Sequence, residues 1–218
     1  MMRLGLIVVS PLIFFGCDGA DDAGSLAVDM TEVFHSTGTP TWEFLNANPA
    51  VSYKLIGTLA QDRGDENVYT VKYAKMCMAV DDSCNDGELV RAISWSNDAV
   101  DGVLVHELND GGVETTFDPP LAMATPEMFL SDQVVTQTAG MIWTSTLVSS
   151  EECPVLITGG ITDSCLRISL TDGGAGATNS GLVGEYWAVA GYGIVAMDVA
   201  SDEGRWELLD YECDAEDC

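Results

Sequence analysis

The sequence predicts an all-β fold: a mostly antiparallel sheet, curled or shaped as a half-barrel, with one or two short helices. A β-sandwich is the alternative arrangement. Three observations carry the prediction. Apolar and polar residues alternate with a period of two through most of the chain, as in half-buried strands. Clusters of Gly, Asp, Asn and Ser separate these runs at turn-like intervals. One ordered set of features also occurs twice, about 85–92 residues apart, which predicts two similar tandem β units.

The first 29 residues stand outside this pattern. Arg3 precedes about a dozen apolar residues ending at Gly16 and Cys17, the charged start, apolar run and small-residue exit of a secretory signal. The run is shorter than the roughly 20 residues that span a bilayer. The chain carries 35 acidic residues against 8 basic ones. Removing residues 1–16 removes Arg3 and no acid, leaving 7 against 35, a net −28. That balance excludes nucleic acid as a partner, since phosphate binding needs clustered Lys and Arg. It also means that any membrane association comes from an anchor and not from a basic face. The segment from Asp18 to Asp29 reads as a tether. The expected organisation is therefore a signal over 1–16, a tether over 17–29, a first β unit over 30–118, and a second over 119–218 with an acidic tail.

Within the units, Tyr69, Val71 and Tyr73 alternate with Thr70 and Lys72. After Ala74 the apolar phase shifts to Met76, Met78 and Val80, which predicts a bulge. Leu166, Ile168 and Leu170 form another alternating run, as do Trp206 and Leu208. Turns are expected at Gln61 to Asp65, Asp81 to Gly87, Asn109 to Gly112 and Asp172 to Gly174. Thr39-Pro40 and Thr125-Pro126 each predict a capped helical turn. The repeated features run from these Thr-Pro pairs through Phe44-Leu45 and Phe129-Leu130, Val51 and Val134, and Gly57 and Gly140. A cysteine pair, a tryptophan (Trp95, Trp187) and a strand-opening glycine (Gly102, Gly193) follow in each half. Phe117 to Leu121 would connect the units.

Seven cysteines leave one unpaired in an oxidising compartment. Assigning Cys17 to a lipid thioether leaves an even set, for which the nearest-neighbour pairing is Cys77–Cys84, Cys153–Cys165 and Cys213–Cys218. Loops this short contribute only about 2–3 kcal/mol each. The sequence FFGC resembles the lipobox of bacterial lipoproteins, with Phe14 and Phe15 where that family usually carries Leu and a small residue. The resemblance implies lipidation of Cys17, export, and anchoring to a membrane of the cell envelope.

Catalytic patterns are not found, and the expectation is a non-enzymatic protein without a cofactor. His106-Glu107 begins like H-E-x-x-H, but Asp110 stands where the second histidine belongs and the segment alternates like a strand. His35 has no adjacent partner. Asp172 to Ala177 is glycine-rich without a following lysine. Asp82, Cys84, Asp86 and Gly87 have EF-hand-like spacing, but Ile93 stands where the bidentate Glu is needed, so only weak divalent-cation binding by such loops is expected.

YWAVAGYGIVAMD, from Tyr186 to Asp198 and followed by WELL, resembles the closing hairpin of uncharacterised bacterial envelope proteins. FDPPLAMATPEMF leading into GMIW is similar to the start of such a unit. The resemblance implies the curled sheet of periplasmic lipoprotein carriers. It sets a carrier or sensor of an apolar ligand beside the first expectation, a lipid-anchored binding or structural protein with an unknown protein partner. The aromatic residues Tyr69, Tyr73, Trp95, Trp143, Trp187 and Trp206 would line the carrier's cavity.

Overall fold

Period-two alternation becomes one continuous antiparallel sheet. The computed structural model describes residues 27–34, 39–61, 68–78, 84–156, 161, 164–173 and 181–213. Its strands are β1 (Val28–Asp29), β2 (Thr41–Asn46), β3 (Tyr53–Gln61), β4 (Val68–Cys77), β5 (Leu89–Asp98), β6 (Gly102–Asp110) and β7 (Val113–Ala124). They continue as β8 (Glu127–Met128), β9 (Gln133–Thr138), β10 (Met141–Glu151), β11 (Cys165–Asp172), β12 (Gly184–Val189), β13 (Gly193–Val199) and β14 (Trp206–Glu212). Twelve strands form one sheet in the order β7-β6-β5-β4-β3-β2-β14-β13-β12-β11-β10-β9, and β1 pairs with β8 beside it. The sheet curls into a nearly closed barrel-like shape. A sandwich of two packed sheets is not what forms.

The chain thus makes two six-stranded meanders, β2–β7 and β9–β14, welded where the first strand of one pairs with the last strand of the other. That weld is the β2·β14 ladder, with Trp42 opposite Tyr211 and Phe44 opposite Leu208. At the outer edges β7 and β9 approach without a backbone ladder between them. Side chains bridge the seam instead: Ala122 N donates to Thr136 Oγ1 (3.1 Å), Ser145 Oγ donates to Met123 O (2.5 Å), and Phe117 meets Trp143 edge-on. Two prolines and a cis Asp118–Pro119 bond interrupt the β7 edge, where Pro supplies no N–H to a further strand. The expected unit boundary after 118 falls inside β7. The chain crosses between meanders over residues 125–132.

The predicted bulge is present, as a register shift at Tyr73/Ala74 against β5. The predicted helical turns are not. Thr41 to Asn46 follows Pro40 directly as a strand with strict alternating burial, and Leu59 N donates to Pro40 O (3.2 Å). Period-two burial of Trp42 and Phe44 outweighs the Thr-Pro signal there. At the second pair, Thr125 Oγ1 donates to Glu127 O (2.8 Å) instead of capping a helix, and Glu127–Met128 becomes β8. The helix among the described residues is α1 (Met30–Val33), one turn opened by Asp29, whose carboxylate accepts from Thr31 N. Hydrogen bonds from the Thr31 side chain and backbone hold the Asp29 carboxyl below its usual range. Val28 and Asp29, read as the end of the tether, instead pair with Met128 and Glu127.

The inward face carries the core. Trp42, Phe44, Leu55, Tyr73, Val105, Leu121, Trp143, Leu147, Ile168 and Leu208 are all buried. One end of the barrel holds α1, the β5–β6 turn and residues 125–132, and we call it the helix end. The other, holding the loop 200–205, is the clasp end. Disulfides join Cys77 to Cys84 and Cys153 to Cys165, with Cα separations of 6.0 and 4.9 Å. Cys17, His35, Asp82 and Cys218 lie outside the described residues, and with them the lipidation site and the Cys213–Cys218 pairing.

Candidate functional site

The barrel interior is the first place to look for a ligand. Tyr73, Trp95, Trp143 and Trp206 are core residues packed against their neighbours. Phe34 sits edge-on to Trp95 at 5.6 Å, Phe44 tilts against Tyr73, and Tyr53 against Trp206. Among these residues lies an apolar cavity of about 40 Å³, lined by side chains such as Trp42, Val71, Trp95, Val105 and Tyr186. Pockets for drug-sized ligands run to several hundred Å³. Trp187 faces outward, where Arg167 and Arg205 flank its ring at 5.6 Å each and its indole N–H donates to Glu151 Oε1 (2.7 Å). That indole hydrogen bond, ahead of one from Ser149, lowers the Glu151 carboxyl. Trp95 and Trp187, equivalent by spacing, therefore face opposite sides of the sheet.

The clasp end is closed by charge. Arg91, 2% exposed, directs Nη2 to Asp202 Oδ1 (2.8 Å) and Ser201 Oγ (3.2 Å), while its Nε lies 3.5 Å from Asp110 Oδ1. Burial pulls the guanidinium pKa down, but Asp202, with Tyr186 and Asp110, more than offsets this and the guanidinium ends above its ordinary value. Tyr73 and Tyr186 stand close by, and burial pushes the Tyr73 phenol up to about 12. Burial likewise raises Tyr186, whose hydroxyl donates to Leu182 O (2.6 Å). Every charge in this cluster faces another, so it joins strands and leaves no open ligand position.

The outer face of β4–β7 is different. Outward residues of these strands form a polar cleft of about 300 Å³. Its floor is Thr70 and Ser94, whose hydroxyls meet at 2.9 Å. Its walls include Lys72, Glu107, Glu114 and Thr116. Two irregularities shape it. Register shifts on both sides of β6 place His106 between Val105 and Glu107 with no opposite residue on β5 or β7. On β7, Phe117 to Pro120 bulges out where Glu107 pairs with Thr116 and Val105 with Leu121. A bulge re-aims the side chains around it. His106 is half-buried on a strand, as its alternation predicted, and its Nε2 lies 2.8 Å from Ser96 Oγ. Ser96 is itself buried, so this contact fixes the ring more than it presents a nucleophile.

Charge pairing singles out one cleft residue. Lys54 pairs with Glu43, Lys75 with Glu88, Arg91 with Asp202, Arg167 with Glu185 and Arg205 with Glu207. Among the described residues Lys72 is the cation for which no carboxylate lies within ion-pair distance. Sequence reading placed Lys72 outward on its strand but had no signal for the cleft, because the bulges that shape it depend on pairing across three strands. No group of three or more His, Cys, Asp or Glu among the described residues is placed to hold a metal ion. In the predicted cation loop, Asp86 Oδ1 accepts from Cys77 N (3.1 Å).

No protein-family model, no curated protein and no solved structure matches the chain.

Proposed function

We propose that the protein is a non-enzymatic binding protein of the bacterial cell envelope, anchored by lipid on Cys17, with the outer cleft of β4–β7 as its binding site. The observation that carries this reading is Lys72, unpaired in a chain of net charge −27 and set in a cleft with Glu107, Glu114 and two hydroxyls. A cation opposite carboxylates in a cleft of this size suits a small zwitterionic ligand of the amino-acid or short-peptide class. Its carboxylate would meet Lys72 and its ammonium Glu107 or Glu114. Two disulfides are compatible with an exported protein. The alternative, a carrier of an apolar ligand, requires interior space, and about 40 Å³ among packed aromatics speaks for the outer cleft instead.

Titration of the isotope-labelled protein with amino acids and dipeptides tests the proposal. Amide resonances of Thr70, Lys72, Ser94 and Thr116 should move together, and Lys72→Ala should abolish the movement. No movement across the panel, or movement unaffected by Lys72→Ala, defeats the reading.

A further inference from the structure

The helix end carries an exposed apolar turn at the point where the N-terminal segment joins the fold. Val28 pairs with Met128, and Met30 N donates to Pro126 O (2.9 Å), so the segment enters against residues 126–128. The next two residues, Phe129 and Leu130, are each 45% exposed. Hydrogen bonds hold the turn in place. Phe129 N donates to Asp132 Oδ2 (2.9 Å), Asp132 N to Phe129 O (3.0 Å), Ser131 N to Leu147 O (2.7 Å), and Leu147 N to Asp132 O (3.1 Å). Ser131 sits at φ +75°, a left-handed conformation that a non-glycine residue adopts at a cost. A turn that keeps two large apolar side chains side by side in water asks for a partner. On the same end Val100, in the β5–β6 turn, is 83% exposed.

We infer that the Phe129–Leu130 turn inserts into the interface of the phospholipid bilayer that holds the lipid on Cys17, fixing which end of the barrel faces the membrane. The inference rests on the proposed anchor. Eleven peptide steps separate Cys17 from Val28, a reach of at most roughly 36–40 Å. A tether of that length restricts distance but not attitude, and the apolar turn beside its entry point supplies the attitude. Glu127 and Asp132 flank the turn, so a zwitterionic lipid surface suits it better than an anionic one.

The test uses the full lipidated chain carrying Phe129→Trp, reconstituted in phosphatidylcholine vesicles with and without brominated acyl chains. All five native tryptophans are buried, so the introduced indole supplies the lipid-accessible signal. Its emission should shift to the blue on vesicles and be quenched by the brominated lipid, with Leu130→Trp behaving alike. Val113→Trp, 69% exposed at the clasp end, should stay solvent-like and unquenched. Mass spectrometry of the N-terminus separates the two ideas. Lipid on Cys17 with an unquenched indole at 129 overturns the inference and leaves the anchor standing, whereas a Cys17 without lipid removes the anchor itself. Equal quenching at 113, or an unquenched blue shift that grows with protein concentration and so marks a second copy, also overturns the inference.

Discussion

Asp202→Asn is the substitution that the clasp end makes most consequential. Asp202 is the main partner of a guanidinium that is 2% exposed, at 2.8 Å, and it also accepts from the Trp206 indole at 3.0 Å. Neutralising it leaves Arg91 buried with Asp110, at 3.5 Å, as its remaining carboxylate and Ser201 Oγ as a neutral acceptor. Breaking one side of such a buried pair costs about 3–5 kcal/mol. Against a typical total of about 5–15 kcal/mol, that is a large fraction of the fold's stability. Arg91→Met should cost less, about 2 kcal/mol, because it removes the buried charge together with its desolvation and leaves Asp202, 11% exposed, with Trp206 still donating to it. The double variant should sit near Arg91→Met and well short of the sum, a coupling of about 3–5 kcal/mol. Equilibrium urea unfolding of the disulfide-intact protein measures all three. Because the pair is buried, the loss should change little between 50 mM and 500 mM salt. Additive losses, or an Asp202→Asn cost under about 1 kcal/mol, would show that the cluster does not close the barrel.

Two further outcomes follow from the core. The Tyr73 phenol, raised to about 12 by burial, stays neutral in the fold at a pH where it ionises in the unfolded chain. Its contribution, about 2–3 kcal/mol, is therefore fully present below pH 10 and lost as pH rises toward 12. Unfolding midpoints between pH 9 and 12, read beside tyrosinate absorbance, should fall together, and Tyr73→Phe should flatten the slope. Gly57→Ala should destabilise by about 1–2 kcal/mol in the same urea assay, since an added Cβ would lie 3.1 Å from the Tyr73 ring and 3.4 Å from Trp42. A neutral result would mean that the two rings move aside freely.

Alternation alone was enough to read the strands that bury one face. Leu166, Ile168 and Leu170 in β11, Trp206 and Leu208 in β14, and the phase break beside Ala74 all appear where the period placed them. The Thr-Pro pairs misled because a cap and a strand entry share the same local chemistry, and only the burial of the residues that follow decides between them. The spacing of the paired features also hid a difference. β10 and the Cys153–Cys165 disulfide lead into β11 before the Trp187 strand, whereas β4 and Cys77–Cys84 lead directly into the Trp95 strand. Alternation along β12 turns Trp187 outward, opposite Arg167, because its neighbour Tyr186 lines the interior. Neither the cleft nor the clasp was legible. Arg91 and Asp202 are 111 residues apart, and the cleft depends on bulges whose partners lie on other strands.

The distribution of charge connects these features to the proposed site. A chain with 35 acids and 8 bases has few cations to place. The structure commits Arg91 to the clasp, Arg167 and Arg205 to Trp187 and its neighbouring glutamates, and Lys54 and Lys75 to single cross-strand partners. Each of these cations lowers the self-repulsion of the fold where it stands. Lys72 contributes least in this way, because it points into the cleft and meets no carboxylate at contact distance. Removing it should therefore leave the urea midpoint within about 0.5 kcal/mol of the parent, while abolishing ligand-induced shifts around Thr70 and Ser94. A residue that matters to binding and not to stability marks a site, and a loss of both would instead mark Lys72 as another part of the scaffold.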